Sequence, residues 1–130
     1  MSHITRITEA AGLPNAVGPY SLATITPDGM VYAAGQVGLN EEGVLVEGGA
    51  EAQTHQVMQN LGGILVAAGT NFGNVLRADI FLANGEDFGQ VNGVYQSYFP
   101  DGAYPARQTV VAQPPLPGAL VEISMIATRL

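Results

Sequence analysis

The chain is organised around the stretch Tyr104–Val111, YPARQTVV, read together with Val121–Met125, VEISM. Successive side chains of a strand point to opposite faces of a sheet. The first stretch therefore places Arg107 and Thr109 on one face, and the second places Glu122 on a face that it shares with a serine. We predict two strands that each carry one charge on a mostly apolar background.

A charge near the middle of an apolar strand is costly unless it is paired or used. Two interpretations of Arg107 and Glu122 follow. They form a structural ion pair that closes the sheet, or they are catalytic side chains. The two strands alone favour the ion pair, because structural pairs outnumber catalytic ones. The remainder of the chain favours catalysis.

The composition describes one domain, spanning residues 1–130, that carries few charges. Apolar residues make up 47% of the chain and charged residues 12%. A small domain with so few charges is expected to cover part of its surface with copies of itself. All four cations are arginines, so Schiff-base and pyridoxal-phosphate lysine chemistry and a P-loop lysine are excluded.

The same composition excludes several partners and cofactors. No cysteine is present, which rules out thiol nucleophiles, disulfides and thiolate metal sites. His3 and His55 lack ligand spacing, so we expect no metal. A net charge of −7 without a basic run disfavours nucleic acid. We see neither a signal peptide nor an apolar run of the ~20 residues that span a bilayer, and expect a cytoplasmic protein with no membrane partner.

The order of predicted elements defines the fold class. Apolar periodicity and turn residues predict strands and helices in the order β-β-β-α-β-α-β-β. The predicted elements before Tyr104 are strands at Ile4–Thr8, Tyr20–Thr26, Met30–Ala34 and Val75–Leu82, and helices at Ala50–Ala68 and from Glu86 onward. Pro27-Asp28-Gly29 is a turn. This order predicts an α+β two-layer sandwich, with a mixed sheet of about six strands and two helices on one face.

Three local features allow more than one interpretation. Gly35 and Gly38 close the third strand, where a β-bulge and a close approach of a ligand are equally supported. Gly62 and Gly63 interrupt the first helix, and we interpret them as a close contact between helix and sheet. Asn92, at the edge of the apolar face of the second helix, is a half-buried hydrogen-bonding residue or holds a substrate.

Five sequence blocks match a known family in order and spacing. They are Gly18-Pro19-Tyr20, Ala34-Gly35-Gln36, Val91–Phe99, Pro105-Ala106-Arg107 and Val121-Glu122-Ile123. Over essentially its whole length the chain resembles the Rid/YjgF family of reactive-intermediate (enamine/imine) deaminases. The resemblance implies a chorismate-mutase-like fold and a homotrimer with an active site in each of three clefts between subunits.

The resemblance also implies a reaction, the hydrolysis of 2-enamino and 2-imino acids such as 2-aminoacrylate to 2-keto acids and ammonia without a cofactor. Arg107 then corresponds to the residue that grips the substrate carboxylate, and Glu122 to the residue that orients the attacking water. Tyr20 and Asn92 would line the pocket, and Gly35 and the backbone near Thr109 would add main-chain contacts. A planar guanidinium suits a carboxylate, and an imine is electrophilic enough to need no metal.

The chain departs from the family pattern at three positions. Ala34 stands where the enamine deaminases often have serine, Thr109 where a cysteine is frequent, and Gln108 where a small residue is common. These changes bear on rate and substrate preference. The alternatives are a pathway-specific Rid-type deaminase and a non-catalytic metabolite-binding or chaperone-like trimer. Some relatives are described as endoribonucleases, which an acidic, lysine-free chain disfavours.

Overall fold

A computed structural model describes residues 3–129, which form a six-stranded sheet and two α-helices. In chain order the elements are β1 (Thr5–Ile7), β2 (Ala23–Ile25), β3 (Met30–Gln36), α1 (Gly49–Ala67), β4 (Val75–Leu82), α2 (Phe88–Gln96), β5 (Ala106–Val111) and β6 (Val121–Thr128). Short 3-10 turns precede β4, α2 and β5, at Phe72–Asn74, Gly85–Asp87 and Pro100–Gly102. The predicted α+β class and element order are confirmed.

The sheet is mixed, with strand order β1-β2-β3-β6-β4-β5. The first three strands form an antiparallel meander, and β6 lies between β3 and β4, antiparallel to both. Only β4 and β5 pair in parallel, because helix α2 carries the chain back between them as a crossover connection. Strand β6, the last strand in the sequence, is central in the sheet, whereas β5 lies at an edge.

The predicted turn joins β2 to β3, but the strand before it is shorter than predicted. Gly29 has a φ of 91°, and the Thr26 N–H donates to the Met30 carbonyl at 2.9 Å. Strand β2 begins only at Ala23. The Tyr20 N–H donates to the Gly18 carbonyl at 2.9 Å, so this part of the predicted strand turns tightly instead of pairing.

The core lies between the helices and one face of the sheet. Strand β6 alternates strictly, and its buried side chains belong to the same cluster as the apolar face of α1. The buried members from the two elements are Val57, Leu61, Ile64, Leu65, Val121, Ile123, Met125 and Ala127. Gly69, with a φ of 85°, follows the helix in the predicted C′ position.

The two glycines inside α1 do not contact the sheet, and that part of the prediction is wrong. A Cβ placed on Gly62 would lie 3.1 Å from the Phe72 ring, and one on Gly63 would lie 3.1 Å from Leu13. Larger apolar residues already occupy the sheet-facing side of the helix. The glycines instead let neighbouring loops pack closely on its flank.

No helix of the described residues lies over the other face of the sheet, and we refer to it as the open face. Strand register places Glu122, Phe81 and Val110 together on this face, along with the pair Tyr32 and Ile126. Tyr32 retains 44% of its accessible surface and Val110 37%. Within residues 3–129, no helix has the length and apolar character required to cross a membrane.

Candidate active site

Arg107 and Glu122 lie on opposite faces of the sheet. In the parallel ladder Arg107 stands directly beside Ala78, which is completely buried under the helices. Glu122 stands opposite Phe81 on the open face. Residues paired directly across neighbouring strands point to the same face of a sheet. Ala78 and Phe81 are three residues apart on β4 and point to opposite faces, so the side chains of Arg107 and Glu122 cannot meet within one subunit. The structural ion pair is therefore wrong.

Arg107 belongs to a cavity of about 340 Å³ formed by β5, its preceding loop and α2, which we call the arginine half-site. Its Nη1 donates to Asn92 Oδ1 at 2.7 Å. The guanidinium carbon lies 5.2 Å from the centre of the Tyr95 ring and 5.6 Å from that of Phe88. These distances are within cation–π range. The aromatic rings and Asn92 hold the guanidinium while leaving most of its N–H donors for a ligand.

Two buried oxygens lie on the helix-facing side of the sheet, where this half-site is built. Tyr95 Oη and Thr109 Oγ1 have no hydrogen-bond partner among the described residues. Burial raises the pKa of Tyr95 to about 12, although the nearby charge of Arg107 acts in the opposite direction. Tyr95 is thus a neutral phenol near pH 7. Buried polar atoms of this kind normally find a partner.

Glu122 belongs to a second and larger cavity of about 480 Å³, which we call the glutamate half-site. Its walls come from the loop before β2, the end of β3 and the connection before β6, and they include Tyr20, Gly35 and Leu116. A Cβ on Gly35 would lie only 3.0 Å from Glu122 Oε2. Strand β3 also has a register irregularity between Ala33 and Gln36. The irregularity agrees with the β-bulge, whereas the group that approaches Gly35 is the Glu122 side chain, and the close approach of a ligand stays a prediction.

The surroundings of Glu122 change its acidity. Burial raises the pKa of its carboxyl above the ordinary value, because apolar walls disfavour the charged form. A carboxylate with a raised pKa is a stronger base, and general-base efficiency increases as the pKa approaches the working pH. The arrangement thus equips Glu122 to accept a proton.

Tyr20 forms part of the wall of the glutamate half-site and is 46% exposed. Its Oη accepts a hydrogen bond from the Val17 N–H at 3.3 Å. The ring is therefore folded back over its own loop. Tyr20 thus lines the cavity, and its role in binding a substrate stays a prediction.

Two buried amides behind the glutamate half-site were not found from the sequence. Gln53 and Asn60 lie seven residues apart on α1 and are 4% and 1% exposed. Asn60 Nδ2 donates to the Leu39 carbonyl at 2.9 Å, and Gln53 bonds to the connection before β6 at the Gly118 carbonyl and the Leu120 N–H. Their spacing matches the apolar stripe of the helix, which was the available signal.

The six residues predicted for the site fall into two groups rather than one. Tyr20, Gly35 and Glu122 line the glutamate half-site. Arg107 and Asn92 line the arginine half-site, and Thr109 shares the face of Arg107 on β5. Among residues 3–129, no cluster of three or more His, Asp or Glu side chains could hold a metal ion.

Comparison with known proteins defines the class to which this fold and site belong. The family model described as endoribonuclease L-PSP matches residues 10–129. A Rid-family protein of known structure, YyfA from Yersinia pestis, superimposes with a TM-score of 0.89 and 40% identity, over 96% of this chain and 98% of that chain. The chain belongs to this family, the Rid/YjgF family.

Particular relatives are similar along nearly their whole length. The mouse 2-iminobutanoate/2-iminopropanoate deaminase is 41% identical over 129 residues, which are 98% of this chain and 94% of the relative. The human protein of the same name is 38% identical, with 98% and 93% covered. The structure of Escherichia coli TdcF with bound serine has a TM-score of 0.86 at 29% identity, covering 97% of this chain and all of that one.

Proposed function

We propose that this protein hydrolyses 2-imino acids, and the 2-enamino acids that tautomerise to them, to 2-keto acids and ammonia. The observation that carries the proposal is the division of the site. A carboxylate-binding arginine and a desolvated carboxylate base occupy separate cavities on opposite faces of one sheet. Full-length similarity to proteins named 2-iminobutanoate/2-iminopropanoate deaminase supports this reaction.

The division of the site supports a cleft shared between subunits, because Arg107 and Glu122 of one subunit lie on opposite faces of the sheet. In a closed ring each interface joins two different surfaces of identical subunits. We infer a homotrimer in which the arginine half-site of one subunit faces the glutamate half-site of the next, giving three equivalent clefts. The uncovered apolar open face supports association, because exposed patches of this kind are typical of interfaces.

Arg107 binds the carboxylate that every 2-imino acid carries. Its planar guanidinium can form two parallel hydrogen bonds to the two carboxylate oxygens, which a lysine cannot do. Asn92 and the Tyr95 ring fix the plane of the guanidinium. A carboxylate held in this way places the adjacent imine carbon at a fixed position across the cleft, which removes much of the entropic barrier.

Glu122 then acts on water. As the water oxygen forms a bond to the imine carbon, the carboxylate accepts a water proton and the C=N π pair moves to nitrogen. The Glu122 carboxyl returns that proton to the nitrogen, which gives a carbinolamine. The carboxylate next accepts the proton of the new hydroxyl and passes it to the amino nitrogen, so that the C–N bond breaks with its electron pair leaving on ammonia and the O–H pair forms the keto C=O bond. The raised pKa of Glu122 suits a group that must both accept and donate a proton.

Subunit mixing tests the shared cleft. Arg107→Ala and Glu122→Gln proteins, each expected to be inactive, are co-refolded in equal amounts, and keto-acid release from freshly generated 2-iminopropionate is measured. Every mixed trimer contains one cleft with both native residues, so random mixing should restore about one quarter of the parental activity. As a control, either single variant is co-refolded with the Arg107→Ala/Glu122→Gln double variant, and this mixture should show no restored activity.

Three other outcomes would each change the conclusion. Mixed trimers seen by native mass spectrometry without restored activity would rule out a cleft that pairs Arg107 of one subunit with Glu122 of the next. A parental protein that binds the imine without turnover would favour the metabolite-binding or chaperone-like trimer. Cleavage of RNA by the parental protein but not by Glu122→Gln would favour the ribonuclease, which a net charge of −7 disfavours. Independence from metals and cofactors, the cytoplasmic location and the use in a specific pathway stay predictions.

A further inference from the structure

Gln53 is a buried polar side chain in the face of α1 that packs on the core. Its Oε1 accepts a hydrogen bond from the Leu120 N–H at 2.8 Å, and its Nε2 donates to the Gly118 carbonyl at 3.1 Å. One amide thus joins the helix to a backbone segment more than 60 residues away in sequence. A buried amide is well accommodated when both its oxygen and its nitrogen are used in this way.

The segment that Gln53 holds leads directly to Glu122. Leu120 precedes Glu122 by two residues, and its own carbonyl accepts from the Ala83 N–H at 3.0 Å. The Leu120 backbone is therefore fixed on both sides. The same connection carries Pro115 and Leu116, which line the glutamate half-site. Gln53 is thus bonded to the residue immediately before β6 and to the connection that forms this wall of the cavity.

Gln53 also contacts the opposite wall. A Cβ on Gly38 would lie 3.0 Å from both Cα and Cβ of Gln53, so the segment that follows β3 packs directly on the helix at this residue. Gly35, three residues earlier, is in contact with the Glu122 carboxylate. The two walls that enclose Glu122 thus meet at one helical position.

We propose that Gln53 is a positioning residue for Glu122, holding the β3 and β6 walls so that the carboxylate keeps its place against Gly35. The inference rests on the proposed role of Glu122 as the base. A general base works only within hydrogen-bond reach of the water that it activates. A displacement of about 1 Å can reduce turnover roughly 10²-fold, even when the mutated residue touches no substrate.

The test compares two variants that each remove side-chain hydrogen bonding to the backbone at one end of β6. Gln53→Met keeps the length of the side chain and loses both bonds at the start of the strand. Thr70→Val keeps the shape and also loses two bonds, the one that Thr70 Oγ1 donates to the Thr128 carbonyl at the end of the strand, 2.7 Å long, and the one that it accepts from Asn74 Nδ2 at 3.2 Å. Thr70 is buried and lies outside both half-sites, so it is a matched structural control.

For Gln53→Met we expect kcat to fall about tenfold or more, while KM stays within about threefold, because Arg107 still binds the carboxylate. For Thr70→Val, kcat should stay within about twofold of the parent. Both proteins are first compared with the parent by thermal melting and native mass spectrometry, at a temperature where all three are folded and assembled. Equal kcat losses in the two variants, or a parental kcat in Gln53→Met, would overturn the proposal.

A readout that needs no turnover separates this inference from the proposed function. The NMR signal of the Glu122 carboxyl carbon is followed as a function of pH. It is assigned as the signal that is missing from the spectrum of Glu122→Gln. The pKa of Glu122 should shift in Gln53→Met and remain parental in Thr70→Val, whereas an unchanged pKa in Gln53→Met would overturn the inference. Absence of turnover in the parent would contradict only the proposed function. If Gln53→Met does not fold, Gln53→Glu, which keeps the acceptor for Leu120, replaces it in both measurements.

Discussion

The two half-sites are built by different means. Around Arg107 the contacts are aromatic, with a single hydrogen bond to Asn92, and the residue is exposed at the edge strand. Around Glu122 the cavity walls are tied to α1 by buried amides, and the carboxylate is partly desolvated. In the proposed function Arg107 recognises a carboxylate, and a cation in that role can remain in water because the geometry of its two parallel N–H donors gives the specificity. A base must be held in place and kept from bulk water.

The chemical step should depend most on Glu122. The change Glu122→Gln keeps the volume and most hydrogen bonding but removes the proton acceptor, so kcat should fall by about 10²–10⁴-fold. Initial rates of keto-acid release measure this loss, and thermal melting checks the fold. Glu51→Gln, on the exposed side of α1, is the matched control and should leave kcat unchanged. A folded, assembled Glu122→Gln protein with parental activity would sink the mechanism.

Substitution in the arginine half-site should change substrate affinity more than turnover. Arg107→Lys keeps the charge but loses the bidentate fork and the stacking on Tyr95, so KM should rise about ten- to a hundredfold, with a smaller loss in kcat. Arg129→Lys, outside both half-sites, serves as the matched control. A KM unchanged in Arg107→Lys, from saturation curves with the same imine, would mean that charge alone binds the substrate.

The sequence predicted most of the architecture because the period of each element is local information. Alternation along β5 and β6 correctly predicted that Arg107 and Glu122 each point to the opposite face from the residues next to them in their strands. Whether the two charged faces coincide depends on β4, which lies between these strands in the sheet. No local pattern encodes that register. The choice between an ion pair and a divided site therefore required the structure.

The roles of the buried amides were hidden for a similar reason. Gln53 bonds to residues 65 and 67 positions away, and a polar residue beside an apolar stripe gives no sign of such a partner. The glycines of α1 were misassigned because their contacts, Phe72 and Leu13, come from loops. Tyr20 was placed in a strand, although the chain turns tightly there. Local sequence specifies elements better than the loops that pack on them.

Stability should also distinguish the two half-sites, because burial raises the pKa of the Glu122 carboxyl. A carboxyl whose pKa is higher in the folded than in the unfolded state stabilises the fold below the unfolded pKa, and this contribution is lost as the pH rises through the folded value. Glu122→Gln should therefore raise the melting temperature at pH 7 relative to the parent. The difference should shrink towards pH 4. Melting curves at both pH values measure it, and a difference that grows on acidification would contradict the sign.

The smallest change concerns Ala34, which lines the glutamate half-site immediately before Gly35. Ala34→Ser adds a hydroxyl within the cavity that holds the Glu122 carboxylate. If the hydroxyl donates to that carboxylate, it favours the charged form and lowers the Glu122 pKa. The acid limb of the kcat profile should then move to lower pH, with the plateau changed by less than about tenfold. Rates from pH 4 to 9 for the parent, Ala34→Ser and the volume control Ala34→Cys measure the shift. An acid limb that moves equally in both variants would assign the effect to volume rather than to the hydroxyl.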